Sequence, residues 1–213
     1  MRFLIIGFLG IPLYAQFVPT VFNKGGVSGA LSCTATLSAT TVNLNTGTLD
    51  WKTWGADGTV PGLYNKSCSG SPCGLLSTYS LVGGATATNY GSDSRDLHWD
   101  SGSGLPNDGR ADNTSGLYTG GVGKGFSITC PASTVSHTCI YYAGGYDSTA
   151  QLSATLSDGS HAPATNTTTC TGGGSYDCTW SCTYNAASAG QTLTLQITSN
   201  GALNVNINGA TYQ

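Results

Sequence analysis

Apolar and polar residues alternate strictly along much of this chain, and that alternation limits what it can fold into. Leu31, Cys33, Ala35, Leu37 and Ala39 alternate with Ser32, Thr34, Thr36, Ser38 and Thr40. A period of two sends the two sets to opposite faces of one strand, so this stretch reads as a half-buried β-strand. The pattern returns at Phe126, Ile128 and Cys130, at Leu152, Ala154 and Leu156, and at Cys178, Trp180, Cys182 and Tyr184. It returns again at Leu193, Leu195 and Ile197, and at Leu203, Val205 and Ile207. These last two runs flank Ser199-Asn200-Gly201-Ala202, where Asn-Gly marks a tight hairpin turn. Outside the N-terminal apolar run, no window of a dozen residues carries helical periodicity. The expected fold is all-β: an antiparallel sandwich with one face of each sheet buried.

Composition agrees with that reading. All ten acidic residues are Asp and none is Glu; Asp suits turns, whereas Glu suits helices. Charged residues make up 8% of the chain, against about 25% in an average soluble domain. No basic patch exists, which argues against nucleic acid as a partner. The middle of the chain, residues 55–112, is less regular, with candidate strands at 75–82 and 85–90. Loops on a rigid β scaffold are where binding usually lives.

The N-terminus has the plan of a secretory signal. Met1-Arg2 precedes an apolar run from Phe3 to Tyr14, and Ala15-Gln16 offers a small residue for cleavage. The run is too short to span a bilayer comfortably, since a spanning helix needs about 20 apolar residues. Removal of residues 1–15 leaves six basic against ten acidic residues, a net charge of −4, and no membrane attachment. Residues 16–30, with Phe17, Val18, Val21 and Phe22, read as a lead-in: a loose tail, an edge strand, or an extension that pairs with a neighbouring subunit. Residues 31–213 form a single β-sandwich domain in this reading.

Export puts the eight cysteines in an oxidising compartment, where they read as disulfides rather than a metal cage. Spacing ranks the pairings. Cys68 and Cys73 enclose a tight loop, Cys130 and Cys139 face each other across a hairpin, and Cys170 and Cys178 bracket a glycine loop. That leaves Cys33 with Cys182. The chief rival pairing exchanges Cys178 and Cys182.

Several constellations invite a chemical reading. His98 lies between Asp96 and Asp100, and is either a general base, a metal ligand or an outward polar residue at a strand end. Asp93, Asp96, Asp100 and Asp108 are carboxylates of the kind glycoside hydrolysis uses in pairs. No Glu is present for the raised-pKa acid role, and no Gly-x-Ser-x-Gly elbow supports a serine nucleophile. The chain therefore reads as non-catalytic. Gly120–Gly125 resembles a phosphate loop only superficially, without the Ser/Thr after its lysine. Asp108, Asp112 and Asn113 lie in an oxygen-rich loop that is either a plain turn or a structural calcium site; no other cofactor is implied. Asn65, Asn113 and Asn166 head glycosylation sequons.

The aromatic residues point towards sugars. Trp51, Trp54 and Trp99 lie beside polar loop residues, with Tyr64, Tyr118, Tyr141, Tyr142 and Tyr146 elsewhere. A sugar ring offers C–H groups to an aromatic face and hydroxyls to Asp, Asn and Arg. Trp51 and Trp54 are three apart, so a strand sends them to opposite faces. Trp180, between two cysteines, reads as core.

Taken in order, Leu49-Asp50-Trp51-x-x-Trp54-Gly55, Leu97-x-Trp99-x-x-Gly102, Gly116-Leu117-Tyr118-x-x-Gly121-x-Gly123-x-Gly125-Phe126, Pro131-Ala132 and Leu156-Ser157-Asp158-Gly159-Ser160 form a familiar series. It resembles secreted bacterial β-sandwich modules of the galactose-binding-domain-like type, which are jelly rolls, from about Leu31 to Val205. The resemblance implies a jelly roll, here with added disulfides, that binds a polysaccharide or cell-surface glycan without acting on it. Trp51 or Trp54, Trp99, Asp96, Asp100 and Arg110 would then form the site. The alternative from the residues is a structural subunit of an extracellular filament, coat or matrix. Its basis is the low charge, the disulfides and the apolar lead-in.

Overall fold

The computed structural model describes residues 28–45, 49–66, 74–100 and 109–213. The signal segment, nearly all of the lead-in, Asp108 and the Cys68–Cys73 pairing lie outside the described residues. The strands are β1 (Ala30–Leu37), β2 (Val42–Asn43), β3 (Asp50–Thr53), β4 (Tyr64–Asn65), β5 (Ser80–Val82), β6 (Thr88–Tyr90), β7 (Leu97–Asp100) and β8 (Gly109–Asn113). They continue as β9 (Gly116–Gly120), β10 (Gly125–Ala132), β11 (His137–Leu156), β12 (Ala164–Asn166), β13 (Thr171–Asn185), β14 (Gln191–Ser199) and β15 (Asn204–Tyr212). Among the described residues the one helical element is a single 3-10 turn, Ala56–Gly58.

β11, 20 residues long, organises the sandwich. Its first part lies between β13 and β15, and its second part between β14 and β12. The strand thus leaves one sheet and enters the other. The ladder to β13 is interrupted between Tyr146 and Ser148, where Asp147 adopts a φ of 42°. A strand that changes sheets usually does so at such an irregularity. The first sheet runs β1–β13–β11–β15, and β15 carries β9 and β6 along one stretch and β3 and β4 along another. The second sheet runs β12–β11–β14–β10–β5.

The two sheets close on one core. Phe126, Ile128, Leu152, Leu195 and Ile197 from the second sheet meet Tyr141, Trp180, Val205 and Ile207 from the first. All but Tyr141 are inward positions that the alternation marks. Three marked positions differ, among them Ala39, which is exposed beyond the end of β1. Leu37 is 54% exposed because β1 is an outer strand, hydrogen-bonded to β13 alone. Leu203 is 44% exposed because it precedes β15 in the turn.

A third layer covers part of the first sheet's outer face. β2, β7 and β8 form a small sheet, with β2 parallel to β7 and β8 antiparallel to it. Beneath it Leu44, Trp51, Ala56, Leu97, Trp99 and Tyr142 form a second apolar cluster.

Three disulfides join Cys33 to Cys182, Cys130 to Cys139 and Cys170 to Cys178. Cys182 lies directly opposite Cys33 in the β1–β13 ladder, whereas Cys178 lies opposite Leu37, which rules out the exchanged pairing.

Candidate functional site

The tryptophans are the first correction. Trp51, Trp54 and Trp99 are 1%, 0% and 3% exposed, so none presents a ring to solvent. Trp51 and Trp54 do go to opposite faces, but each face is covered. Trp54 packs in the main core, edge-on to Tyr79 with centroids 6.4 Å apart. Trp51 and Trp99 meet in the second cluster at 5.8 Å, with Tyr64 stacked 5.4 Å from Trp99. The small β2–β7–β8 sheet provides that cover, and a sheet face under a lid of this kind is core.

The other described residues of the expected site lie on β7, on β8 and just before β7. Asp96 is hydrogen-bonded to His98, with Oδ2 2.8 Å from Nε2. Asp100 lies opposite Gly109 and Arg110 opposite Trp99 in the β7–β8 ladder. Asp112 belongs to β8, and Asn113 is buried at its end, donating its side-chain amide to the Ser115 carbonyl at 3.3 Å. Among the described residues no group of three or more His, Cys, Asp or Glu could hold a metal ion.

The open part of the first sheet's outer face is different. Asn206 lies opposite Tyr118 of β9 on one side and Gly144 of β11 on the other, and Gly144 lies opposite Asp177 of β13. The next row along the same face is Gly120, Asn204, Tyr146 and Ser175. Between these rows is a cavity of about 180 Å³ lined by Tyr90, Tyr118, Gly145, Tyr146, Ser175, Asn204 and Asn206. Tyr146 is 49% exposed, so its ring is available to a ligand. Tyr90 and Tyr118 meet edge to face with centroids 6.2 Å apart. The side-chain oxygens of Asn204 and Asn206 are buried and accept no hydrogen bond.

Glycine makes room for this arrangement. A Cβ on Gly116 would lie 2.7 Å from Cε1 of Tyr90 and 2.8 Å from Nδ2 of Asn208, so the bare backbone lets Tyr90 lie across β9. A Cβ on Gly144 would lie 2.9 Å from Oδ1 of Asn206 and 2.2 Å from the Tyr176 carbonyl oxygen.

Behind Tyr90 is a buried polar seam between the open and covered parts of the face. β15 has a bulge here: Tyr142 pairs with Gly209 and Ala143 with Ile207, leaving Asn208 as the extra residue. A bulge re-aims a side chain, and Asn208 donates to Oδ2 of Asp93 at 2.7 Å and to the Tyr90 hydroxyl at 3.0 Å. The Tyr90 hydroxyl also donates to Asp93, and the Arg95 backbone N–H donates to Oδ1 of Asp93 at 3.0 Å. Asp177 lies beside Asp93 and accepts from Ser94 Oγ at 2.6 Å. Arg95 is fully buried. It donates to the Ala143 and Ser38 carbonyls, each at 3.2 Å, and its guanidinium lies 5.5 Å from the Tyr142 ring centre.

The two carboxyls of the seam differ in proton affinity. Burial pushes Asp177 up to about 7, helped by its hydrogen bond to Asp93 and opposed by the Arg95 charge. Burial also works against the charge on Asp93. Hydrogen bonds from Asp177, Tyr90, the Arg95 backbone and Asn208 outweigh it and hold Asp93 below the usual carboxylate range. Burial and the neighbouring Asp93 raise Tyr90 well above an ordinary tyrosine.

The sequence points to Tyr118 and Tyr146 only as members of a wider aromatic set, and leaves Asp177, Asn204 and Asn206 unmarked. One signal for the asparagines was present. If Val205 and Ile207 face inwards, Asn204 and Asn206 face outwards from the same strand.

No family model matches the sequence, and no curated protein matches it. Solved structures offer distant likenesses. One is the enzymatically active domain of tailspike protein 4 from bacteriophage CBA120, at 14% identity and a TM-score of 0.41. That match covers 65% of this chain and 19% of the tailspike chain, so this chain spans about a fifth of that protein's length. Another is the CBM22-1 xylan-binding domain of Paenibacillus barcinonensis Xyn10C, at 10% identity and a TM-score of 0.37. It covers 63% of this chain and 84% of the xylan-binding domain.

Proposed function

We propose that the protein is a secreted, non-catalytic module that binds extracellular carbohydrate through the groove at Tyr118, Tyr146, Asn204 and Asn206. The observation that carries this reading is the combination of an exposed tyrosine ring with two buried, unpartnered amide oxygens in one cleft. A buried acceptor without a donor costs free energy until a ligand supplies one. Sugar hydroxyls are such donors, and sugar C–H groups pack on aromatic faces. The disulfides fit a protein that works in an oxidising compartment.

One acid pair, Asp93 and Asp177, is not spaced for hydrolysis. Asp93 and Asp177 lie beside each other, whereas carboxyls that flank a glycosidic bond stand about 5 Å or more apart. Such a pair leaves no room for a sugar between its members.

The test is affinity electrophoresis through gels containing neutral, acidic and amino-sugar polysaccharides. Tyr146→Ala should weaken retention about tenfold, the worth of one stacking contact, with the melting temperature unchanged. Equal mobility of wild type and variant in every gel would overturn the reading.

A further inference from the structure

The acid pair has a consequence for the groove, and it rests on the glycan-binding reading of that site. We propose that Asp93 and Asp177 form a proton-sharing latch that docks residues 91–96 onto β13 and fixes Tyr90 in the groove wall, so that binding weakens when the latch loses its proton.

The geometry supplies both ends of the latch. Residues 91–96 connect β6, which ends at Tyr90, to β7 in the covering sheet. Their attachment to β13 is made by Ser94, whose Oγ donates to Oδ2 of Asp177 at 2.6 Å, with Asp93 beside it. Arg95 completes the docking on the Ser38 and Ala143 carbonyls. Two carboxyls can hydrogen-bond to each other only while they share a proton. Loss of that proton puts two like charges in contact in a largely buried place.

Few other groups stand near enough to compensate. The charged and titratable groups facing Asp177 are Asp93 and Arg95 from residues 91–96 and Tyr90 from β6. Tyr142 of β11 lies under Arg95. On β11 the residue opposite Asp177 is Gly144, which has no side chain. Arg95, the one cation of this set, already serves three acceptors: the Ala143 and Ser38 carbonyls and Oδ1 of Asn208. The connection to the groove is direct, because the Tyr90 hydroxyl donates to the carboxylate of Asp93.

The sign of the effect follows from linkage. The Asp177 carboxyl is held up to about 7 in the folded protein, above its ordinary value of about 3.9. Its contribution to stability is present in full below the unfolded value and is lost as pH rises through about 7. Asp93 is held down, so its contribution is lost in acid. The latch is therefore closed in mildly acidic solution and opens towards mildly alkaline pH.

Carbon-13 NMR of the aspartate carboxyls, with the Tyr90 ring followed in the same samples, tests this on the unmodified protein. One Asp carboxyl should titrate near neutrality, and the Tyr90 signals should shift with the same midpoint. Asp177→Asn keeps a donor to Asp93 and an acceptor for Ser94. It should abolish the Tyr90 shift and flatten both the melting temperature and glycan retention between pH 5 and 8. Tyr90 signals that stay fixed across that range in the wild type would overturn the latch. If no glycan binds at any pH, the glycan reading fails by itself, and the Tyr90 titration still decides the latch.

Discussion

Gly144 sits in the middle of a strand at the point where the groove needs an empty floor. On one side is the orphaned oxygen of Asn206, and on the other the Asp177 carboxyl that closes the seam. Gly144→Ala should destabilise the fold by about 2 kcal/mol or more, because the new methyl would sit 2.2 Å from the Tyr176 carbonyl oxygen. Chemical denaturation measures this, and an unchanged midpoint would mean that β11 and β13 part easily here. Residues of this kind were hard to find in the sequence. Gly144-Gly145 and Asn204, Asn206 and Asn208 have the composition of turns, and their place in strands comes from their neighbours. Aromatic residues misled for the opposite reason. A Trp beside polar residues reads as a platform, but Trp99 is buried on β7, a strand of the covering layer that the local pattern does not reveal.

At the scale of elements, the strands with strict alternation were legible and the short ones were not. β10, β13, β14 and β15 bury the residues that the period of two selects. β2, β7 and β8 have few residues, and one of their pairings is parallel, so no repeat announces them. The cysteine spacing ranked the three described pairs in the arrangement that the structure adopts, since two lie in short loops and the third then follows. Cys33–Cys182 bonds the outer strand β1 to the sheet across a sequence separation of 149. Replacing both by Ala should cost about 5 kcal/mol in the chain-entropy account. Urea denaturation of the double variant measures it. A loss below 1 kcal/mol would show that the β1–β13 ladder holds without the staple.

At the scale of the molecule, one sheet face is divided between two roles. The covered part holds Trp51, Trp99 and Tyr142 in a second core, and the open part holds the tyrosine and asparagine groove. The bulge at Asn208 and the buried Arg95 lie on the boundary. Sequence alone located the sandwich but not the cover over Trp51 and Trp99, because the covering layer comes from a stretch of irregular chain. The central claim is that the open half is where carbohydrate is held. Its most direct test is chemical-shift mapping of the labelled protein during titration with a soluble oligosaccharide from a polysaccharide that retards it. The account predicts shifts concentrated at Tyr90, Tyr118, Tyr146, Asn204 and Asn206, with Trp51 and Trp99 still. Shifts concentrated on β7 and β8, with the groove unmoved, would contradict it.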